Sequence, residues 1–289
     1  MSKTYKWGII GTGNIAHQLA DALSVINEAA LVAVHSRKEE TAVKFAKEYG
    51  LSEYHTNIDS FCSSNTFDIV YIATPHPNHY FETICCLNAG KHVLCEKPMA
   101  LNYAQVSHMI DTSIANNCFL MEAMWTQFFP AILKINELIR EEAIGEIKQI
   151  EASFCFCGDW NPQGRHLNRE LAGGALLDVG IYPIYFAQMI MNEMPFGISS
   201  QAHIGETGVD EQSMYLLQYS NGALASLASA VRAQRPQFAY IYGTKGTITI
   251  PKFWQPDNFI LQNEVGEKKF NFERFGNGYT RGIGSTQMY

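Results

Sequence analysis

Long apolar runs, an excess of positive charge and paired cysteine motifs are all missing from this chain of 289 residues. No continuous apolar run reaches the roughly 18–20 residues that a membrane-spanning helix needs, so no span and no membrane partner are expected. The opening Met1-Ser2-Lys3-Thr4-Tyr5-Lys6-Trp7-Gly8 passes straight into a strand-like pattern and carries no apolar signal-peptide core. Lys and Arg number 21 against 28 Asp and Glu, a net charge of −7. A phosphate-backbone binder needs the opposite sign, so no nucleic-acid partner is expected. The seven cysteines are an odd number, and none forms a Cys-x-x-Cys pair. That usage reads as a reduced, cytoplasmic, soluble protein. Hydrophobic residues at 47% and charged residues at 17% are enough to bury a sizeable core, which excludes disorder. Neither an internal repeat nor a low-complexity segment is present, and the length fits about two domains.

What is there changes character near Met124. Up to that point short apolar runs (Trp7–Ile10, Leu31–Val34, Ile69–Ala73 and His92–Cys95) alternate with amphipathic stretches. Runs without polar alternation suit strands buried on both faces. Ala42, Phe45, Ala46 and Tyr49 recur at helical spacing, and Gly50 follows as a stop. Asn102 with Gln105 reads as a capping box, and Gly90 closes the helix before the Val93 strand. Repeated strand–helix–strand units predict a doubly wound parallel sheet over 1–124. Beyond it the pattern predicts helices over Pro130–Glu142 and Ala175–Asn192, then strands. Asn221-Gly222 and Gly243–Gly246 mark hairpin turns, so 125–289 reads as an α+β domain on a largely antiparallel sheet. Met189, Met191 and Met194 are expected in its core.

Between the first strand and the first helix stands Gly11-Thr12-Gly13-Asn14-Ile15-Ala16, a G-x-G-x-x-A fingerprint of the Rossmann type in its required context. Gly11 permits the tight turn, Gly13 lets backbone approach a pyrophosphate, and Ala16 keeps the helix close to the sheet. The helix N-terminus offers unpaired N–H groups to the phosphates. An NAD site places Asp or Glu about 20 residues further on. Here Ser36, Arg37 and Lys38 stand at the second strand's end, offering a hydroxyl and two positive charges to a 2′-phosphate. NADP(H) is favoured, with NAD(H) left open.

Cys95-Glu96-Lys97-Pro98, Ala73-Thr74-Pro75 with His79, and Gly173-Gly174-Ala175-Leu176-Leu177-Asp178-Val179-Gly180-Ile181-Tyr182 follow in order. Together they resemble the Gfo/Idh/MocA oxidoreductases. Met121–Pro130 and Glu206–Asp210 narrow the resemblance to the dimeric dihydrodiol dehydrogenase-like branch, over roughly Tyr5 to Gly278. The resemblance implies that Lys97 sits beside the nicotinamide and that Tyr182, where many relatives carry histidine, is the proton-transfer group. A nearby ammonium would draw a phenol's pKa down from about 10 toward the working range. Lys97 and Tyr182 fall in different halves, so this role predicts a site in the cleft between the domains. Asp178, one helical turn before Tyr182, is expected to bind a substrate hydroxyl or orient the lysine. Trp125 is a candidate wall for a sugar or arene face. Thr74, Pro75, Asn78, His79 and Glu96 are expected as cofactor neighbours, because ligands bind at the carboxyl ends of parallel strands. Arg165 and Arg169 read equally as phosphate ligands or loop charges.

The implied activity is hydride transfer between nicotinamide and a secondary alcohol or carbonyl of a sugar or cyclic diol. The alternative is a catalytically inactive dinucleotide-binding regulator of the same fold. A homodimer or higher homo-oligomer, associating through the outer face of the second sheet, is also implied. His76, His79 and His92 lack the companions that a metal site needs. Relatives continue past the last strand with helical sequence, whereas Thr280–Tyr289, after Asn277-Gly278-Tyr279, lacks that periodicity and reads as a truncated or frame-shifted terminus.

Overall fold

The structure is a computed structural model that describes residues 4–273 and 276–280. The reading of a truncated terminus falls largely on 281–289, outside the described residues. Two compact units emerge, 4–124 together with 276–280, and 125–273. The sequence reading keeps everything after 125 in the second domain; residues 276–280 instead group with the first.

The first unit runs β1 (Tyr5–Ile10), α1 (Asn14–Ser24), β2 (Ala29–His35), α2 (Glu39–Tyr49), β3 (Glu53–His55), α3 (Ile58–Cys62), β4 (Ile69–Ile72), α4 (His79–Asn88), β5 (His92–Cys95), α5 (Tyr103–Ala115) and β6 (Leu120–Glu122). Its six strands are ordered β3-β2-β1-β4-β5-β6 and all pair in parallel. The order reverses between β1 and β4, which opens a crevice at their carboxyl ends. Ile9, Ile10, Val70, Tyr71 and Ile72 are fully buried, as the unbroken apolar runs require. On α1 the buried Ala16, Leu19, Ala20 and Leu23 make the core-facing stripe. Burying Leu19 and Leu23 stabilises the unit by about 1.5–3 kcal/mol each, an upper figure. Gly50 ends α2 in the left-handed conformation. The capping box is half realised. The Asn102 side chain accepts from Gln105 N–H at 3.0 Å, but the Gln105 amide oxygen accepts from Leu101 N–H, at 3.1 Å, instead of from Asn102.

The second unit comprises α6 (Pro130–Arg140), β7 (Ile147–Cys155), a π-helical turn at Leu176–Gly180 that runs into α7 (Ile181–Met191), then β8 (Gly197–Ile204), β9 (Asp210–Gln218), β10 (Leu224–Ala230), β11 (Phe238–Gly243), β12 (Gly246–Pro251), β13 (Asn258–Asn263) and β14 (Gly266–Asn271). The eight-stranded sheet is ordered β14-β13-β12-β11-β7-β10-β9-β8, and its β7–β10 pairing is parallel among antiparallel neighbours. Both expected hairpins form, with Gly222 at φ +82° in the Asn-Gly turn. Helix α7 buries Tyr182, Pro183, Phe186, Ala187 and Ile190 against β7 and β10. Arg169–Met191 is long and apolar enough by composition to cross a membrane, its most apolar 18-residue window having a mean hydropathy of 1.3. Of that window 56% is buried, as in the core helix of a folded domain. Met194 is also corrected: α7 ends at Asn192 in the left-handed region, which turns Met194 out to the surface.

Candidate active-site residues

The chain leaves β1 through Gly11, whose N–H donates to the His35 carbonyl at 2.9 Å. Its φ is +108°, and a Cβ there would lie 2.7 Å from the Ala73 carbonyl oxygen on β4's exit, so both conformation and space demand glycine. Gly13 differs. Its backbone is extended, and a Cβ on it would meet nothing within 4 Å. The space above it is therefore open to a ligand. No side chain caps α1, and its first turn holds no acid, so nothing competes with an anion for those N–H groups. Gly11, Thr12, Gly13, Asn14 and Ile15 thus fit a pyrophosphate.

At the end of β2 the Ser36 hydroxyl lies 2.7 Å from that of Thr41, and Arg37 and Lys38 are exposed. At the end of β4, Thr74 donates its hydroxyl to Glu82 Oε2 at 2.5 Å. Glu82 on α4 is a site residue that the sequence reading missed. Burial pushes its carboxyl up to about 7, against the opposing pull of the Thr74 hydroxyl and the Arg37 charge. Pro75 and Asn78 form the short turn that follows, with Asn78 N–H donating to the Pro75 carbonyl at 2.9 Å. His79 is fully buried, and its two ring nitrogens face the Thr74 and Pro98 carbonyls at 2.8 Å each. It therefore braces the two loops that leave β4 and β5. Burial holds its imidazole below the usual range, against the pull of those two carbonyls.

The Glu-Lys-Pro segment leaves the carboxyl end of β5. Glu96 is buried and accepts at Oε1 from the Tyr71 hydroxyl at 2.5 Å and from the Tyr279 hydroxyl, and at Oε2 from Lys97 N–H at 3.1 Å. Glu122 Oε1 takes the Met99 N–H at 2.7 Å. Burial raises the Glu122 carboxyl, with Glu96 adding to the rise and Lys97 opposing it. Lys97 itself is half-buried. The structure thus gathers Gly11–Ile15, Ser36–Lys38, Thr74, Pro75, Asn78 and Lys97 at the carboxyl ends of one parallel sheet. Within that group Glu96 and His79 act from below as supports.

In the second unit Gly174 adopts φ +115°, and any Cβ there would run into the Asp210 carboxylate. Asp210 Oδ2 accepts from Leu176 N–H at 2.7 Å and from the Ser213 hydroxyl at 2.8 Å, which anchors the π-helical turn carrying Asp178. Asp178 is buried and ion-paired with Arg165, with His166 Nε2 at 3.5 Å from its other oxygen. Arg165, an exposed charge on the loop before this turn, pairs with Asp178. Tyr182 is buried, with the Phe154 ring at 5.3 Å and the Trp254 ring at 6.2 Å. Trp254 stacks on Phe154 at 5.0 Å and on Trp125 at 6.2 Å, while its indole N–H donates to Gln237 at 2.9 Å. Trp125 therefore joins Tyr182 in one aromatic wall, through Phe154 and Trp254. Sequence reasoning missed both, because no local spacing ties β7 and the turn after β12 to α7. Among the described residues no group of three His, Cys, Asp or Glu side chains could hold a metal. His92 instead accepts from Phe119 N–H at 2.9 Å.

Residues 5–124 match an oxidoreductase family with an NAD-binding Rossmann fold, and 132–249 match the GFO/IDH/MocA C-terminal domain. A trans-1,2-dihydrobenzene-1,2-diol dehydrogenase of Xenopus tropicalis is 38% identical over 270 residues, covering 92% of this chain and 81% of that protein. A 3-ketoreductase from Actinomadura kijaniata, solved in complex with NADP, is similar in fold with a TM-score of 0.88 at 22% identity, over 99% of this chain and 89% of that one. Levoglucosan dehydrogenase, solved with NADH and levoglucosan, gives 0.88 at 21% identity, over 98% and 88%. The phosphate loop, the Glu-Lys-Pro segment and the Asp178–Tyr182 helix all lie within these matches, and the chain belongs to the Gfo/Idh/MocA oxidoreductase family.

Proposed function

We propose that this chain interconverts a secondary alcohol and a carbonyl on a sugar or cyclic diol, using NADP(H) in preference to NAD(H). The observation that carries the substrate class is the wall of Trp125, Trp254 and Phe154 beside Tyr182. Such faces take the C–H surface of a sugar or an arene, while a hydroxyl reaches for polar groups at the edge. The names of the relatives point the same way, since they are dehydrogenases of trans-1,2-dihydrobenzene-1,2-diol and of levoglucosan.

Gly11–Ile15 would hold the pyrophosphate. Ser36, Arg37 and Lys38 would face the 2′-phosphate, with no carboxylate among them to repel it. A bound nicotinamide supplies the hydride exchange. Tyr182 moves the proton of the substrate hydroxyl at its Oη, and Lys97 serves the same reaction from the nicotinamide side. Asp178, neutralised by Arg165, positions a substrate hydroxyl and is not itself a base. Reduced-nicotinamide absorbance with a panel of aldoses and cyclic diols tests the reading. Cofactor binding without turnover of any of them would favour the inactive regulator.

A homodimer is part of this proposal. Exposure alternates along β9, so Met214 and Leu216 stand on the open face, continuous with Leu224 of β10. On β11 the rings of Phe238, Tyr240 and Tyr242 stack in a ladder, and Tyr240 pairs in register with the exposed Glu151 of β7. An apolar patch of this kind suits an isologous contact. Light scattering at micromolar concentration that finds a monomer overturns it. All seven cysteines are free, which fits a cytoplasmic location.

A further inference from the structure

Glu96 is buried, and its carboxylate is held by hydrogen bonds from within its own unit. Among the described residues its donors come from three places: Tyr71 within β4, Tyr279 in the segment after β14, and the backbone of Lys97. Tyr71 is fully buried, and its phenol is pushed well above its usual range by burial and by the Glu96 charge, so it remains a donor. The two tyrosine rings meet edge to face at 6.0 Å. Two residues before Tyr279, the Asn277 amide donates to the Gln18 carbonyl of α1 at 2.7 Å, so one short segment ties both the phosphate-binding helix and the Glu-Lys-Pro loop.

A buried carboxylate must have its lone pairs satisfied. With Oε1 saturated by two hydroxyls, Oε2 is held in one orientation and fixes the Lys97 N–H. We propose that Tyr279 and Tyr71 are positioning residues that hold Lys97 in place through Glu96, so that a residue from the far end of the chain completes the nucleotide-binding unit's active-site loop. The proposal rests on the reading of Lys97 as the nicotinamide-side lysine. Phenylalanine at either position keeps the ring packing and removes only the donor. Without both donors the carboxylate turns to find new partners and releases the Lys97 amide.

The first test needs no substrate. In the cofactor-free protein, Tyr279→Phe should speed amide exchange at Lys97, and the Tyr71→Phe, Tyr279→Phe double variant should speed it by roughly tenfold or more. Amides of β1 should be unchanged. The second test reads turnover. Tyr279→Phe should lower kcat by roughly tenfold while the NADPH Kd stays within about twofold. In a Lys97→Met background the same substitution should cost nothing further, because its effect runs through the lysine. Unchanged Lys97 exchange in the double variant, or a Tyr279→Phe loss that persists in full without Lys97, overturns the proposal. Should the parent protein turn over none of the substrates, the functional reading falls, and the exchange measurement alone decides the positioning.

Discussion

Replacing Glu82 with glutamine should make the protein more stable at alkaline pH and leave it nearly unchanged in acid. The Glu82 carboxyl ionises at about 7 in the folded chain against 4.5 unperturbed, with burial as the main cause. The folded state therefore holds this proton more tightly than the unfolded chain. Stability is fully retained below about 4.5, is lost as pH climbs through 4.5 to 7, and is missing in full above that window. Each pKa unit is worth about 1.4 kcal/mol, so ionised Glu82 costs about 3 kcal/mol. Glutamine has the same shape, cannot ionise, and still accepts the Thr74 hydroxyl that Glu82 takes at 2.5 Å. Urea unfolding at about pH 5 and about pH 8 isolates the effect, because other titrating groups cancel between parent and variant. The stability advantage of Glu82→Gln should grow by about 2–3 kcal/mol between the two conditions. An advantage independent of pH, or a variant less stable than the parent at about pH 8, refutes the assignment of Glu82 as a buried, destabilised carboxylate.

Arg37→Asp should reverse the dinucleotide preference in a fluorescence titration, because a carboxylate at the end of β2 repels a 2′-phosphate; equal parental affinities for NADPH and NADH would already sink the idea. Tyr182→Phe should bind cofactor normally and turn over roughly 10²–10⁴ times more slowly, the usual worth of a placed acid or base. Lys97→Met should likewise lose turnover. Kinetics on the Tyr182→Phe, Lys97→Met double variant should show a loss well short of the product of the two, and a full product would mean they serve separate steps. Leu216→Glu, which puts a charge on the open face of β9, should shift the light-scattering mass toward a monomer without changing the far-ultraviolet dichroism.

The parallel sheet was legible in the sequence because strands buried on both faces must be apolar throughout, and Trp7–Ile10 and Ile69–Ile72 are so. The phosphate loop was legible for a local reason as well: Gly11 and Gly13 act through their own backbone, one by its left-handed turn and one by the space it leaves. The hairpin at Asn221-Gly222 followed from turn chemistry alone. Lys97 and Tyr182 came from the resemblance; taken singly, a lysine before proline and a tyrosine in an apolar helix say nothing. Tertiary structure decided everything that joins distant parts. It brought Trp254 and Phe154 to Tyr182, gave Arg165 to Asp178, turned Glu82 beneath Thr74, and returned Tyr279 to Glu96. These partners share no periodicity with the groups they serve. Side-chain pairing across long separations depends on how sheets and helices pack, and a linear sequence records propensity and pattern but not that packing.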